Sequence, residues 1–404
     1  MKNLFLILFA ISNLLCADIN AQELMKYQQP KEYEMPPKLI PTARKYWVSL
    51  PKDYDEKKNS YPIVFLFDGN EAYLRNLILF DIDQLTDLGE IPPCIIVGIM
   101  QRNRALDFGP LYAVKSNPNS AKVNGDKFFD FIKQELLPEL QKNYRTQNFK
   151  IGIGHSLGGL FLLNSFTKDP DFFNGIIAVS PALEMNRDST LFSNVKKTLH
   201  SKINKQTFFC WASGTEGINE VAFRPASKVL GKLLADGPNP SFKYKYIDLP
   251  GKNHNGTPFY SMIDAFGFIF NDWNIANWYR PLFDNKVEPE IYLAERRKLM
   301  KKLYDFDKDP TEDRILANIG SQFLQQQKYQ KALSYIQNAL VVNPNDSDYY
   351  KELSVAFEKL KNYEAALASI KKAIDKLDKT EQEYQYFLGE LQKDEKRILT
   401  AISK

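Results

Sequence analysis

Lys150-Ile151-Gly152-Ile153-Gly154-His155-Ser156-Leu157-Gly158-Gly159-Leu160-Phe161 is the stretch on which the fold turns. Ile151–Ile153 predicts a buried strand and Leu160–Phe166 a helix, so Gly154, Ser156 and Gly158 occupy the sharp turn between them. Such a turn forces the central residue into a strained backbone conformation. It tolerates few side chains at the flanking positions, which is why glycines bracket the serine. The serine hydroxyl is thereby held out at the end of a strand, and Ser156 is the candidate nucleophile.

Outward from this turn, apolar runs of four to six residues recur: Ile63–Phe67, Ile95–Ile99, Ile176–Val179 and Phe208–Trp211, with alternating runs at Tyr46–Leu50 and Tyr244–Asp248. Continuous Val/Ile/Phe runs suit strands covered on both faces. Between them lie helical patterns such as Asp126–Tyr144, where Phe128, Phe131, Ile132, Glu135 and Leu136 share helical spacing. The alternation predicts an α/β fold: a mostly parallel sheet with helices on both faces, over about residues 44–280. An N-terminal lead-in precedes it at 22–43.

Beyond Pro289 the strands stop. Ile319/Leu353, Phe323/Phe357, Tyr329/Tyr363, Ala332/Ala366, Ile336/Ile370 and Ala339/Ala373 recur at a period of 34 residues. The pattern resembles tetratricopeptide repeats, and predicts an all-α region of two repeats plus a capping helix over 313–402, joined by a linker and packing helix at 281–312. Such repeats imply a protein or peptide partner, or self-association.

The chain of 404 residues carries 44% hydrophobic and 25% charged residues, which excludes disorder and a membrane bundle. A net charge of +4, from 53 Lys+Arg against 49 Asp+Glu, asks for no nucleic acid or anionic membrane. Lys2, the apolar run Leu4–Leu15 and the small Ala21 read as a secretory leader at 1–21, cut near Ala21. The run is too short to span a membrane. Export to the periplasm or medium follows. Cys94 and Cys210 each sit in an apolar run and read as buried thiols. His155, His200 and His254 have no metal-ligand spacing, so no metal and no cofactor are expected.

A serine needs a base to take its proton. Of the three histidines, His155 adjoins Ser156 and is expected to leave the other side of the turn, while His200 ends a charged helix. His254 lies on the loop Asn253-His254-Asn255-Gly256, just after the last strand, and is the candidate base. An acid to orient it is expected at the end of the preceding strand. Glu216, in Ser213-Gly214-Thr215-Glu216-Gly217, fits best, with Glu220 a competitor and Asp248 weaker. The oxyanion donors are expected at the N–H of Leu157 and in the turn Asp68-Gly69-Asn70, at Asn70 or alternatively Gly69.

Taken together, Tyr46–Pro51 with Asp53-Tyr54, Tyr61–Gly69, Val97-Gly98-Ile99 with Arg104, Asp107 and Pro110, Gly154–Gly159, Ser180-Pro181-Ala182 and the Asn253-His254 loop with Pro258 resemble the esterase D-like esterases of the α/β-hydrolase superfamily. The resemblance runs from about Arg44 to Asn274. It implies Ser156 as nucleophile, His254 as base, the turn after Phe67 as oxyanion loop, and a small-molecule ester as substrate, on a siderophore or a carbohydrate. Arg102 and Arg104 are candidates to receive an anionic substrate group, and Leu111–Gly125 to lie over the pocket. Two other readings stay open: an acyltransferase of the same fold, and an inert hydrolase domain in a repeat-mediated docking protein.

Overall fold

The apolar runs become the central strands because only a sheet covered by helices hides both faces of such a run from water. In the computed structural model, residues 27–55, 59–109, 124–185, 190–237, 239–283, 287–306, 312–380 and 383–403 are described. The leader reading at 1–21 and nearly all of the segment read as a pocket cover lie outside them. Two compact units emerge, one reaching as far as Ala265 and the other made of Gly89–Pro92 and Phe266–Lys404.

The first unit holds one eight-stranded sheet in the order β1-β2-β4-β3-β5-β6-β7-β8. The strands are β1 Lys31–Met35, β2 Arg44–Ser49, β3 Tyr61–Phe67, β4 Ile95–Ile99, β5 Thr146–His155, β6 Gly175–Val179, β7 Thr207–Glu216 and β8 Phe242–Asn253. β3 to β8 are parallel to one another, while β2 pairs antiparallel with both β4 and the edge strand β1. The lead-in expected at 22–43 thus contains a strand. β1 is an edge strand, mostly charged and solvent-facing, so its sequence carries no apolar signal. Tyr33 and Met35 anchor it to the core; Tyr33 stacks on Tyr46 at 5.4 Å and accepts a hydrogen bond from Tyr144 at 2.9 Å.

Helices cover the sheet. They include α1 Ala72–Asp87, α2 Arg104–Phe108, α3 Gly125–Phe131 continuing through a π-helical turn at Ile132–Leu136 into α4 Leu137–Asn143, α5 Leu157–Lys168, α6 Thr190–Leu199 and α7 Gly217–Asp236; α8 Thr257–Ile269 begins in this unit and ends in the second. A cluster of phenylalanines binds α2, α3 and α5 to the centre of the sheet: the Phe67 ring lies 5.0 Å from Phe161 and 5.8 Å from Phe108, and Phe128 lies 5.6 Å from Phe161. Edge-to-face rings of this kind add about 0.5–1.5 kcal/mol each beyond the area they bury. Here they fix the N-terminal end of α5, where the serine turn sits. Cys94 and Cys210 are both buried, with no disulfide between them.

The second unit is helical among the described residues: α9 Ile275–Phe283, α10 Pro289–Tyr304, α11 Glu312–Gln325, α12 Tyr329–Val342, α13 Ser347–Lys359, α14 Tyr363–Lys376 and α15 Tyr384–Ile402. The 34-residue period corresponds to the successive pairs α11–α12 and α13–α14. Ala332, Ile336 and Ala339 are buried in the first pair, and Ala366, Ile370 and Ala373 at the same places in the second. Small residues let the paired helices approach closely. At Gly320 a Cβ would come within 2.5 Å of the Ile336 side chain. Leu391 and Ile398 of α15 join the cluster formed by Ala366, Ile370 and Ala373. Residues 266–280, assigned from sequence to the hydrolase domain, fall by contacts in this helical unit. No helix of the described residues is long and apolar enough to cross a membrane.

Candidate active site

The turn after β5 has the geometry its glycines suggested. Ser156 has φ 59° and ψ −115°, a left-handed strain of about 1–3 kcal/mol that the surroundings must hold in place. They do so with backbone bonds: Ser156 N–H donates to Val179 O at 2.9 Å, and Ser156 O accepts from Leu160 N–H and Ala182 N–H, each at 3.1 Å. A Cβ on Gly154 would lie 2.4 Å from the Gly158 carbonyl carbon, so strand and helix can meet this closely only with glycine there. Leu157 opens α5, and its N–H, one of the first four of the helix, has no intrahelical acceptor.

The neighbouring turn, Asp68-Gly69-Asn70, follows β3 and is clamped from below. Trp47 Nε1–H donates to Gly69 O at 2.8 Å, and the indole occupies the space above Gly98, where a Cβ would fall 1.9 Å from the ring. Gly69 N–H donates to Ile99 O at 2.9 Å. This removes Gly69 from the two expected oxyanion donors, because its one backbone proton is already used. Asn70 N–H has no partner among the described residues, while the Asn70 side-chain oxygen accepts from Gln101 N–H at 3.2 Å.

His254 follows the end of β8. Its Nδ1 lies 2.8 Å from Glu220 Oε1, and Glu220 is fully buried. The acid beside the imidazole is therefore Glu220, and the expectation of Glu216 is corrected. β7 extends through Glu216, which ends the strand exposed, its carboxylate accepting from the Thr215 hydroxyl at 2.9 Å. Gly217, at φ 85°, turns the chain into α7, and Glu220 in the first helical turn points back towards the sheet. A carboxylate in a first helical turn is also favoured by the helix dipole. That position was the available sequence signal. Asp248, the third candidate, pairs instead with Arg224 at 2.7 Å.

Burial by itself would raise the Glu220 carboxyl, but hydrogen bonds from His254, Ser180 and Gly214 N–H, the last at 2.7 Å, outweigh it and hold the group below its usual range. A charged Glu220 accepts from Nδ1–H and so leaves the His254 Nε2 lone pair open to take a proton. Around this pair, Thr257 Oγ1 donates to His254 O at 2.8 Å and lies 2.8 Å from the buried Ser180 hydroxyl. Phe223 meets the His254 ring edge-on at 5.2 Å.

His155 does not leave the other side of the turn. It is 6% exposed, its ring lies 4.3 Å from that of His254, and its Nε2 is 3.0 Å from His254 O. Burial and the neighbouring imidazole push it down to about 3, so it stays neutral. Arg104, a candidate for an anionic substrate group, is engaged internally: Nε donates to Asp68 Oδ1 at 2.7 Å and Nη2 to His155 O at 2.6 Å. Asp107 pairs with the buried Arg44. His200 is exposed at the end of α6, as expected.

A glycine-flanked serine turn at the end of a parallel strand, with a carboxylate–imidazole pair formed just after the last two strands, is the arrangement of an α/β-hydrolase type of site. Comparison with known proteins agrees at this level. Residues 38–226, just under half of the chain, match the family described as "Putative esterase", a segment that holds Ser156 and Glu220 and ends before His254. The chain is 31% identical over 157 residues to ferri-bacillibactin esterase BesA of Bacillus subtilis, covering 35% of this chain and 53% of that one. It is 26% identical over 249 residues to apo-salmochelin esterase of Escherichia coli, covering 52% and 76%. The chain thus spans about half the length of the first relative and three quarters of the second.

Among solved structures, an IroE-like serine hydrolase from Shewanella oneidensis superposes with a TM-score of 0.62 at 19% identity, over 75% of this chain and 96% of that one. An uncharacterised protein from Capnocytophaga ochracea superposes with the same score at 17% identity over 90% of this chain and 99% of that one. These likenesses support an ester hydrolase of the α/β-hydrolase type.

Proposed function

We propose that the protein is an exported serine carboxylic-ester hydrolase that cleaves an ester of the siderophore class through an acyl-enzyme. The observation that carries the reading is the 2.8 Å contact between His254 Nδ1 and a buried, charged Glu220, in a chain whose Ser156 is held at positive φ after β5. The resemblance to two esterases named for bacillibactin and salmochelin supports the substrate class. The leader-like residues before Gln22 support export.

In this mechanism Ser156 Oγ attacks the ester carbonyl carbon while His254 Nε2 takes the hydroxyl proton, and Glu220 stabilises the imidazolium that forms. The N–H groups of Leu157 and Asn70 receive the oxyanion. The imidazolium then protonates the departing alcohol, leaving an acyl-Ser156. Water, deprotonated by His254, attacks the acyl carbon and releases the acid and the free serine. The C-terminal helical pairs are read as tetratricopeptide-like repeats that dock a protein or peptide partner or a second copy. The test is a substrate panel of a tris-catecholate siderophore lactone, feruloyl and acetyl-sugar esters and p-nitrophenyl acetate, followed by chromatography of the products. Hydrolysis of the lactone to free acid and alcohol is expected. Acyl groups recovered on an added sugar or lipid hydroxyl rather than on water, or no turnover of any ester, would overturn it.

A further inference from the structure

Three hydrogen bonds from outside its own strand converge on His155. Its backbone nitrogen and carbonyl belong to the strand end that carries Ser156, and Arg104, itself held by Asp68 of the oxyanion turn, donates to that carbonyl at 2.6 Å. Its side chain reaches the other two parts of the site. Tyr73, the second residue of α1, places its hydroxyl 3.3 Å from His155 Nδ1, and His155 Nε2 lies 3.0 Å from the backbone oxygen of His254. A carbonyl oxygen can only accept, so Nε2 carries the proton and Nδ1 accepts from Tyr73. The tautomer is thereby fixed, and the ring lies flat enough on His254, 36° between planes, to support it as a floor.

We propose that His155 is a positioning residue that locks the candidate base His254 to the nucleophile turn and to the oxyanion turn at once. The His254 carbonyl takes one hydrogen bond from His155 and one from Thr257, so the loop bearing the base is fixed from two sides. Phe223 packs against the His254 imidazole at 5.2 Å. With Glu220 on Nδ1 and its backbone carbonyl held twice, the imidazole is restricted in orientation, which is where rate is gained. A neutral His155 also adds no charge against the imidazolium that forms on His254. The inference rests on the serine-esterase reading.

The experiment uses the full chain and p-nitrophenyl acetate, with Ser156→Ala assayed alongside. His155→Phe keeps a flat ring beneath His254 and removes both hydrogen bonds, and His155→Gln returns a donor near the Nε2 position. The expected result is a kcat at least ten-fold lower for His155→Phe with KM within about two-fold, and at least three-fold recovery of kcat in His155→Gln. A His155→Phe enzyme with kcat within two-fold of the parent, or a His155→Gln enzyme no faster than His155→Phe, overturns the proposal. Should His155→Phe fail to fold, Tyr73→Phe decides: kcat down three-fold or more at constant KM supports it, and an unchanged kcat overturns it. Retained activity in Ser156→Ala would instead defeat the parent reading, and the two failures are thus separable.

Discussion

Glu220, in the first turn of α7, and His254, just past the end of β8, meet at 2.8 Å, while Glu216, four residues earlier in the chain, stands exposed beside Thr215. The difference arises from the way β7 ends. The strand runs on through Glu216, and Gly214 must accept Lys252 O so closely that a Cβ would fall 2.1 Å from it, which brings the end of β8 against α7. Glu220→Gln keeps the shape of the acid and removes its charge. It should lower kcat by about 10²–10⁴-fold, as expected when an imidazole loses its orienting carboxylate. Glu216→Gln should stay within about two-fold. Steady-state kinetics on one ester compares the two directly; equal losses would return the acid assignment to Glu216.

The clamp beneath the Asp68–Asn70 turn, the proposed oxyanion turn, offers a second test. Trp47→Phe keeps most of the indole volume over Gly98 but leaves the Gly69 carbonyl without its donor. An unpaired buried acceptor costs about 1–3 kcal/mol, so the first unit should melt a few degrees lower. kcat should fall more than KM rises, because Asn70 shifts. An unchanged melting temperature by differential scanning calorimetry would show that the bond from Trp47 contributes nothing.

Gly154→Ala places a methyl group 2.4 Å from the backbone of Gly158, where neither strand nor helix can yield cheaply. The expected outcome is a loss of soluble protein or a destabilisation of more than about 3 kcal/mol in urea unfolding. Gly158→Ala, whose Cβ would meet its first neighbour at 3.4 Å, should be much milder. A similar cost at both sites would mean that the turn is not packed as described.

The pH dependence of stability follows from His155. Its folded-state value of about 3 lies below the ordinary ~6.5 of an unfolded imidazole, so the unfolded chain binds the extra proton. Stability from this group is complete above about pH 6.5 and is lost as pH falls towards 3, by at most about 1.4 kcal/mol per pH unit. Asp81, pushed up to about 6 by burial, acts in the opposite sense below that pH. The wild-type curve therefore mixes the two, and the difference from His155→Phe isolates the histidine. Thermal melts between pH 7 and 5 should converge for the two proteins on acidification; parallel curves would contradict a neutral buried His155.

Much of this architecture was legible in the residues. Ile63–Phe67, Ile95–Ile99 and Ile176–Val179 are strands because their runs have no polar face to offer water, and the Gly154–Gly158 pattern marks a turn that few other residues can make. β1 was not legible: Lys31, Glu32 and Glu34 face solvent, and only pairing with β2 makes the segment a strand. Nor was the choice between Glu216 and Glu220, which depends on where the strand gives way to the helix. His155 was misread for a related reason. Sequence adjacency to Ser156 says nothing about which ring it will face, and the partner that decides it, His254, lies at the far end of the sheet order.

The most direct measurement is covalent labelling of the native protein with a fluorophosphonate, followed by peptide mass spectrometry. The account predicts one stoichiometric adduct on Ser156, formed with loss of fluoride, abolition of esterase activity in step with labelling, and neither label nor turnover in Ser156→Ala, where kcat should fall by on the order of 10⁶. An active enzyme that stays unlabelled at Ser156, or a Ser156→Ala protein that still hydrolyses esters at the parent rate, would contradict it.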